Sequence, residues 1–231
     1  LIAHNGSTRR LLSQDSFTSV KEITKSFDLS HQYNVDLQRE FLALDTIVDK
    51  TKVNNNKVDF ELNYPWEKSD TRIDIDTLKK RDKWQSLFMP SGAFVSGRID
   101  SSHWLTFGAI NTIPLLYSNY PVLMSDSKTD AVIRIGELSS NEDVNTYRSL
   151  NWSDVPPGND LNIRMSGLVW PEASVRIANS AYLTQETYGN GQIILFSGEP
   201  NFRGSSLGTN RLWLNAVIYG SGLGTKSNLS L

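Results

Sequence analysis

The sequence predicts an α/β domain, a layered sheet with helices on its faces. A helical stretch over 15–88 forms an insertion or lid, and residues 89–220 form a sheet-rich core. Three observations predict this. The chain opens on "LIAHNGSTRRLL", which reads as a buried strand, a tight turn at Asn5-Gly6 and a helix beginning at Ser7 or Thr8. The run "NVDLQREFLALDTIVDK" sets Leu37, Phe41, Leu44 and Val48 on one stripe with charges opposite, the pattern of a surface helix on a core. After Pro90 come short β-branched or aromatic runs, each bounded by Gly, Pro, Asn or Ser. With 231 residues, 39% of them apolar, one domain spanning 1–231 can bury a core.

Between the opening unit and Pro90, "SFTSVKEITKSF" places Val20, Ile23 and Phe27 at helical spacing, with Ser19 and Glu22 in the relation of a capping box, so a short helix is expected. Residues 51–76 are polar and irregular, "VNNNK" forming a turn. Asp76 is the expected cap of a helix through "TLKKRDKWQSLF", which Pro90 stops. In the second part, "PEASVRIANSA" is a helix with Pro171 in its first turn, and "AYLTQETYGNGQIILFSG" is a hairpin turning at Gly189-Asn190-Gly191. "GTNRLWLNAVIYG" is an apolar helix capped by Thr209 and ended by Gly220.

Composition excludes several classes of function. The 23 basic and 25 acidic residues are interspersed and leave a net charge of −2, so nucleic acid and anionic membrane surfaces are not expected partners. No apolar run approaches the roughly 18–20 residues of a membrane span. The opening lacks a secretion signal and a starting Met, which fits a fragment of a longer chain. There are no cysteines, hence no thiolate ligand or thiol nucleophile.

The three histidines, His4, His31 and His103, fall in no zinc-ligand spacing, and no metal site is expected in this chain. His4, Asn5, Gly6 and Ser7 stand at a strand's carboxyl end, where open α/β sheets place ligand sites. His4 and Ser7 are the candidate catalytic pair, although Gly6-Ser7 lacks the G-x-S-x-G spacing and helix capping by Ser7 or Thr8 is the ordinary use of such residues. Asn5 and Gly6 are candidate ligand-binding residues of the same turn. The glycines of "YGSGLGTK" stop a helix and are not in phosphate-loop order. The pairs Asp74/Asp76 and Glu142/Asp143 sit in polar loops and need only be solvated; an acid/base pair requires opposed placement across a cleft, which their spacing does not set. In "GEPNFRG", Phe202 is expected to fill an apolar gap and Arg203 to pair with a carboxylate or carbonyl, while Gly208-Thr209 at the next helix start is a candidate anion site. Trp104, Trp170 and Trp213 lie in apolar runs and are expected in the core. Trp66, Trp84 and Trp152 have more polar surroundings and are expected to be partly exposed.

Four stretches together carry a resemblance: "MPSGAFVSGRIDSSHWLTFG" (89–108), "PLLYSN" (114–119), "RMSGLVWPEASVRIANSAYLTQETYGNGQIILFSGEPNFRG" (164–204) and "GTNRLWLNAVIYG" (208–220). They resemble the region C-terminal to the catalytic domain in a group of large bacterial zinc-carboxypeptidase-like proteins. That region is related to the class I glutamine amidotransferase-like fold, a flavodoxin-like α/β layer. The resemblance implies a peptidase whose zinc is held by an H-x-x-E pair and a later His. None of these occurs here, so zinc is expected only in a parent peptidase domain. Active amidotransferase-like relatives use a cysteine at the strand-turn-helix elbow, where this chain has His4-Asn5-Gly6-Ser7.

The expectation is therefore a non-catalytic accessory domain, periplasmic or extracellular, with an upstream peptidase domain or the N-terminal half of the same protein as partner. An independent hydrolase or amidotransferase-like enzyme using the His4–Ser7 turn, and a carbohydrate-binding module, stay open as alternatives. The opening strand needs neighbours on both edges, so a partner segment or a subunit of a homo-oligomer is expected to cover it.

Overall fold

Long runs of β-branched and aromatic residues on both sides of a glycine turn build the centre of the molecule. The computed structural model describes residues 1–14, 17–25, 56–59, 74–125, 128–141, 146–150, 152–204 and 206–225. Strands β13 (Ala181–Tyr188) and β14 (Gly191–Phe196) form the expected hairpin, with Tyr188 opposite Gly191 and the turn at Gly189-Asn190. Gly189 has φ +58, a left-handed conformation that glycine adopts without a Cβ penalty. Ile193 through Phe196 are all buried, as a strand covered on both faces requires.

This hairpin is the middle of a nine-stranded mixed sheet. Strand β1 (Ile2–His4) pairs in parallel with β14, Ile2 opposite Ile194 and His4 opposite Phe196. On the other side β13 pairs antiparallel with β7 (Thr129–Ile135), and β7 with β4 (Ala93–Ile99). Strand β4 also takes β5 (Thr112–Tyr117) and β12 (Arg164–Ser166), both antiparallel. The short β6 (Leu123–Met124) bridges β13 to β2 (Lys21–Glu22). Outside this sheet, β9 (Thr146–Leu150) lies between β3 (Asn56–Asp59), parallel, and β10 (Ser153–Val155), antiparallel, while β8 (Glu137–Ser140) pairs with β11 (Asn159–Asn162).

Four helices are described: α1 (Asn5–Leu12), α2 (Ile75–Gln85), α3 (Pro171–Ile177) and α4 (Leu207–Tyr219). Helix α3 has Pro171 in its first turn, as its missing N–H permits. Helix α2 starts earlier than expected. Its cap is Asp74 and not Asp76: the Asp74 carboxylate accepts from the Thr77 N–H at 2.7 Å, a bond that holds this carboxyl below its ordinary range. No described helix is long and apolar enough to cross a membrane.

The expected helix over 16–27 is corrected by the structure within the described residues 17–25. Residues 21–22 form β2 and Ile23–Lys25 a single 3₁₀ turn. The polar groups that would have capped a helix are taken by a tertiary partner, since the Glu186 carboxylate accepts from the Thr18 hydroxyl at 2.6 Å and the Ser19 N–H at 3.1 Å. Val20 and Ile23 are then fully buried, an apolar burial that the local helical preference does not outweigh. Of the stretch 15–88, the described residues thus hold β2, β3 and α2, and the amphipathic run 37–48 lies outside them.

Helices α2 and α3 are joined by a buried ion pair. The Arg176 Nε donates to Asp82 at 2.7 Å, and both residues are almost wholly inaccessible. Burial raises the Asp82 carboxyl above its ordinary range, opposed by the Arg176 charge. Arg176 also has its backbone carbonyl occupied, by the Trp152 indole N–H at 3.2 Å. Removing one partner leaves an uncompensated buried charge, so Arg176→Met is expected to lower unfolding free energy by about 3 kcal/mol in urea denaturation, and Asp82→Leu combined with Arg176→Met to recover most of that loss.

Candidate functional site

The carboxyl ends of β1 and β14 lie side by side and carry a strained corner. His4 ends β1 in extended backbone (φ −143, ψ 155), and the next residue, Asn5, enters α1 at φ +44. Asparagine is among the few residues with a side chain that tolerates the left-handed region, at a cost of order 1 kcal/mol. A sharp strand-to-helix turn of this kind is how a nucleophile elbow presents its central residue, with small residues two positions before and after. In this chain those flanking residues are Ala3 and Ser7, and the central position belongs to Asn5.

The corner is closed by the segment after β14. The Asn5 carboxamide donates to the Glu199 carboxylate at 2.7 Å. Glu199 is brought there by Ser197 and Gly198: the Ser197 hydroxyl donates to the Pro121 carbonyl at 2.7 Å, and its N–H to the Tyr182 carbonyl at 2.8 Å. A Cβ on Gly198 would come within 2.7 Å of the Tyr120 ring and 3.2 Å of the Tyr182 ring, so only glycine lets the chain pass between the two tyrosines. From the other side, the Thr8 hydroxyl donates to the Phe196 carbonyl at 2.7 Å, and Arg9 reaches the Asn119 carbonyl at 3.1 Å.

Tyr117, Tyr120 and Tyr182 line the inner side of this corner. Tyr117 and Tyr120 meet edge to face at 5.6 Å, and the Tyr182 hydroxyl is wholly buried with no hydrogen-bond partner among the described residues. Burial pushes the Tyr117 phenol up to about 12, against the pull of the nearby Ser197 hydroxyl, and pushes Tyr182 higher still.

The sequence-predicted residues divide around this geometry. His4 and Asn5 are at the corner, but the half-buried His4 ring lies edge-on to Trp213 at 5.4 Å, and its buried Nδ1 has no hydrogen-bond partner among the described residues. Ser7 is exposed, and no hydrogen bond joins it to a base among the described residues; neither it nor Thr8 caps α1, whose cap position is His4 with no side-chain bond. Gly6 is open to solvent. Arg203 is exposed at φ +49 with its guanidinium 5.1 Å above the half-buried Phe202 ring, and among the described residues this ring contact stands in place of the expected carboxylate or carbonyl.

A Cβ on Gly208 would meet Ile113 at 3.6 Å, and Thr209 is buried, its hydroxyl donated to the Pro200 carbonyl. Thr209 is therefore not the cap of α4: Ser206 occupies the cap position, and Thr209 ties the helix to the loop before it. The register of the elbow was the feature that sequence reasoning missed. Small residues at 3 and 7 around an asparagine are its signal, and Gly6-Ser7 resembles a nucleophile turn two residues further along.

His103 meets Asp130, its Nε2 4.0 Å from the carboxylate. It accepts from the Leu105 N–H through Nδ1 and is lowered in pKa by burial. His31, Trp66, Glu142 and Asp143 lie outside the described residues. Two tryptophans exchange their expected environments: Trp152 is buried with its N–H bonded to Arg176, and Trp170 is 50% exposed. Trp84, Phe88 and Trp170 meet edge to face at interplanar angles of 61° and 64°, so their rings do not share one plane. Among the described residues no group of three His, Cys, Asp or Glu side chains gathers where a metal would sit.

Chemically, the corner has an amide where an elbow places its nucleophile. A carboxamide does not attack a carbonyl, and the Glu199 carboxylate beside it is bonded to it. Comparison with protein-family models, curated proteins and solved structures returned no match to this chain.

Asn5→Ala is expected to cost about 2 kcal/mol in urea denaturation, through the lost Glu199 bond and the left-handed backbone; Asn5→Gly, which loses only the bond, should cost about half as much. The buried phenols give a second expectation. A tyrosine whose folded pKa exceeds its unfolded value of about 10 contributes stability that is complete below that value and lost as pH rises through about 12. In a phenolate absorbance titration, Tyr117→Phe and Tyr182→Phe should each remove one late-titrating phenol that ionises only as the fold is lost.

Proposed function

We propose that this chain is a non-catalytic accessory domain of a zinc-carboxypeptidase-like protein, with a flavodoxin-like, glutamine amidotransferase-like layered sheet, and that it supports or positions a peptidase domain. One observation carries the proposal. The strained elbow residue is Asn5, held by Glu199, so the fold keeps an active-site corner in shape while lacking its nucleophile. The four resembling stretches support the same assignment.

The role follows from what the corner can still do. Side-chain bonds from Asn5, Thr8 and Arg9 fix the elbow, and the tyrosines fill the space beneath it. Such a corner is a rigid platform, and binding energy on a rigid platform goes into orientation of a partner with little ordering cost.

The purified chain is expected to show no turnover of ester, amide or peptide substrates, no labelling by a serine-directed fluorophosphonate, and no stoichiometric zinc by elemental analysis. Hydrolysis that Ser7→Ala abolishes, or one tight zinc per chain, overturns the proposal. In the full-length protein, an H-x-x-E pair and a later His are expected ahead of Leu1, and their absence there overturns the assignment to a peptidase.

A further inference from the structure

The 3₁₀ turn Trp104–Thr106 seats the last helix. The Asn215 carboxamide of α4 donates to the Leu105 carbonyl at 2.8 Å and to the Phe107 carbonyl at 3.0 Å, and the Phe107 ring meets Tyr219 edge to face at 6.3 Å. Leu105 itself is fully buried. The turn begins at His103, in extended backbone, and its cap is the imidazole: Nδ1 accepts from the Leu105 N–H at 3.2 Å. Caps of this kind are ordinarily Ser, Thr, Asn or Asp, whose oxygens accept at any pH near neutrality. A histidine nitrogen accepts only while it carries no proton.

The surroundings fix which nitrogen that is. Because Nδ1 is an acceptor, the proton of the neutral ring sits on Nε2, which lies 4.0 Å from the Asp130 carboxylate of β7; the Gln185 side chain of β13 is a further hydrogen-bond partner of the ring. A second proton has one place to go, Nδ1, and there it points at the Leu105 N–H, donor against donor. Asp130 and Asp100 favour the charged ring, Asp100 while it accepts from the Ser102 N–H at 2.9 Å and the Ser102 hydroxyl at 2.6 Å. Glu186 of β13 is bonded instead to Thr18 and Ser19, and Arg211, the charge on α4, has its guanidinium 3.4 Å from where a Cβ on Gly108 would stand. Burial of the ring, 11% exposed, outweighs the two carboxylates, so the folded chain binds this proton less readily than an unfolded one.

From this geometry we infer that His103 is an acid-released latch: the neutral imidazole caps the turn that holds α4, and protonation at Nδ1 opens the cap and loosens the helix from the turn. The latch is closed above about 6.5, the ordinary value of a histidine, and opens progressively as pH falls below it, while carboxylates with ordinary values near 4 stay ionised. It stands apart from the accessory role, since it uses neither the elbow nor a peptidase domain.

The test is amide hydrogen exchange followed by nuclear magnetic resonance on the whole chain at about pH 7.5 and about pH 5, expressed as protection so that the pH dependence of intrinsic exchange drops out. Protection at Leu105 and over Asn215 to Tyr219 is expected to fall on the order of tenfold at the lower pH, as loss of a cap implies. His103→Asn keeps an acceptor at the cap and takes up no proton, so its protection should be equal at both values; His103→Ala should show the low protection at both. The ring nitrogen shifts of the wild type need no variant and should place the neutral proton on Nε2. Equal protection of the wild type at both pH values, an acid loss that persists in His103→Asn, a loss at Leu105 that leaves α4 unchanged, or a neutral proton on Nδ1 overturns the inference.

Discussion

The ladder between β13 and β14 is the constraint on which the other parts depend. Six residue pairs run from Leu183–Phe196 to Tyr188–Gly191, and each strand then offers its free edge to a different neighbour. Strand β14 accepts β1 in parallel and so brings the elbow beside its own carboxyl end. Strand β13 accepts β7 and β6, and through them β4, β5 and β2. If the hairpin shifted by one residue, every side chain on β14 would change face, Phe196 would leave Trp213, and Glu199 would leave Asn5.

At the corner, strain and hydrogen bonding are matched. The left-handed Asn5 costs free energy, and the Glu199 bond, the Thr8 bond to Phe196 and the tyrosine packing around Gly198 offset it. Catalysis at such a corner would require a nucleophile at residue 5 and a base within hydrogen-bond reach of it. The described residues place an amide at the first position and turn His4 toward Trp213.

Local pattern made much of this fold legible. The Gly189-Asn190 turn, Pro171 at the start of α3 and the apolar run of α4 each declare themselves within about ten residues, because turn chemistry and helix starts depend on a few neighbouring φ/ψ values. Residues 16–27, described over 17–25, show the limit. Their helical spacing and capping-box residues were real local signals, but Glu186, more than 150 positions away, took the polar groups and the core took Val20 and Ile23. The elbow lies between these cases. Its place at a strand end was legible from "LIAHNGS", while its register was not, since Ser7 reads as a nucleophile or a cap until backbone dihedrals show Asn5 at the turn.

The sequence by itself determined that this is an α/β chain with no thiol chemistry, a glycine-turned central hairpin, and an apolar last helix. Only the tertiary structure decided that Asn5 is held by Glu199, that Asp82 and Arg176 are partners, that Thr209 ties the loop instead of capping α4, and that α4 lies beside β1. The physical reason is common to all four. Each depends on groups distant in the chain whose hydrogen bonds and burial are set by which strands become neighbours, and neighbour choice is a property of the packed sheet, whereas periodicity and turn chemistry are properties of a short window.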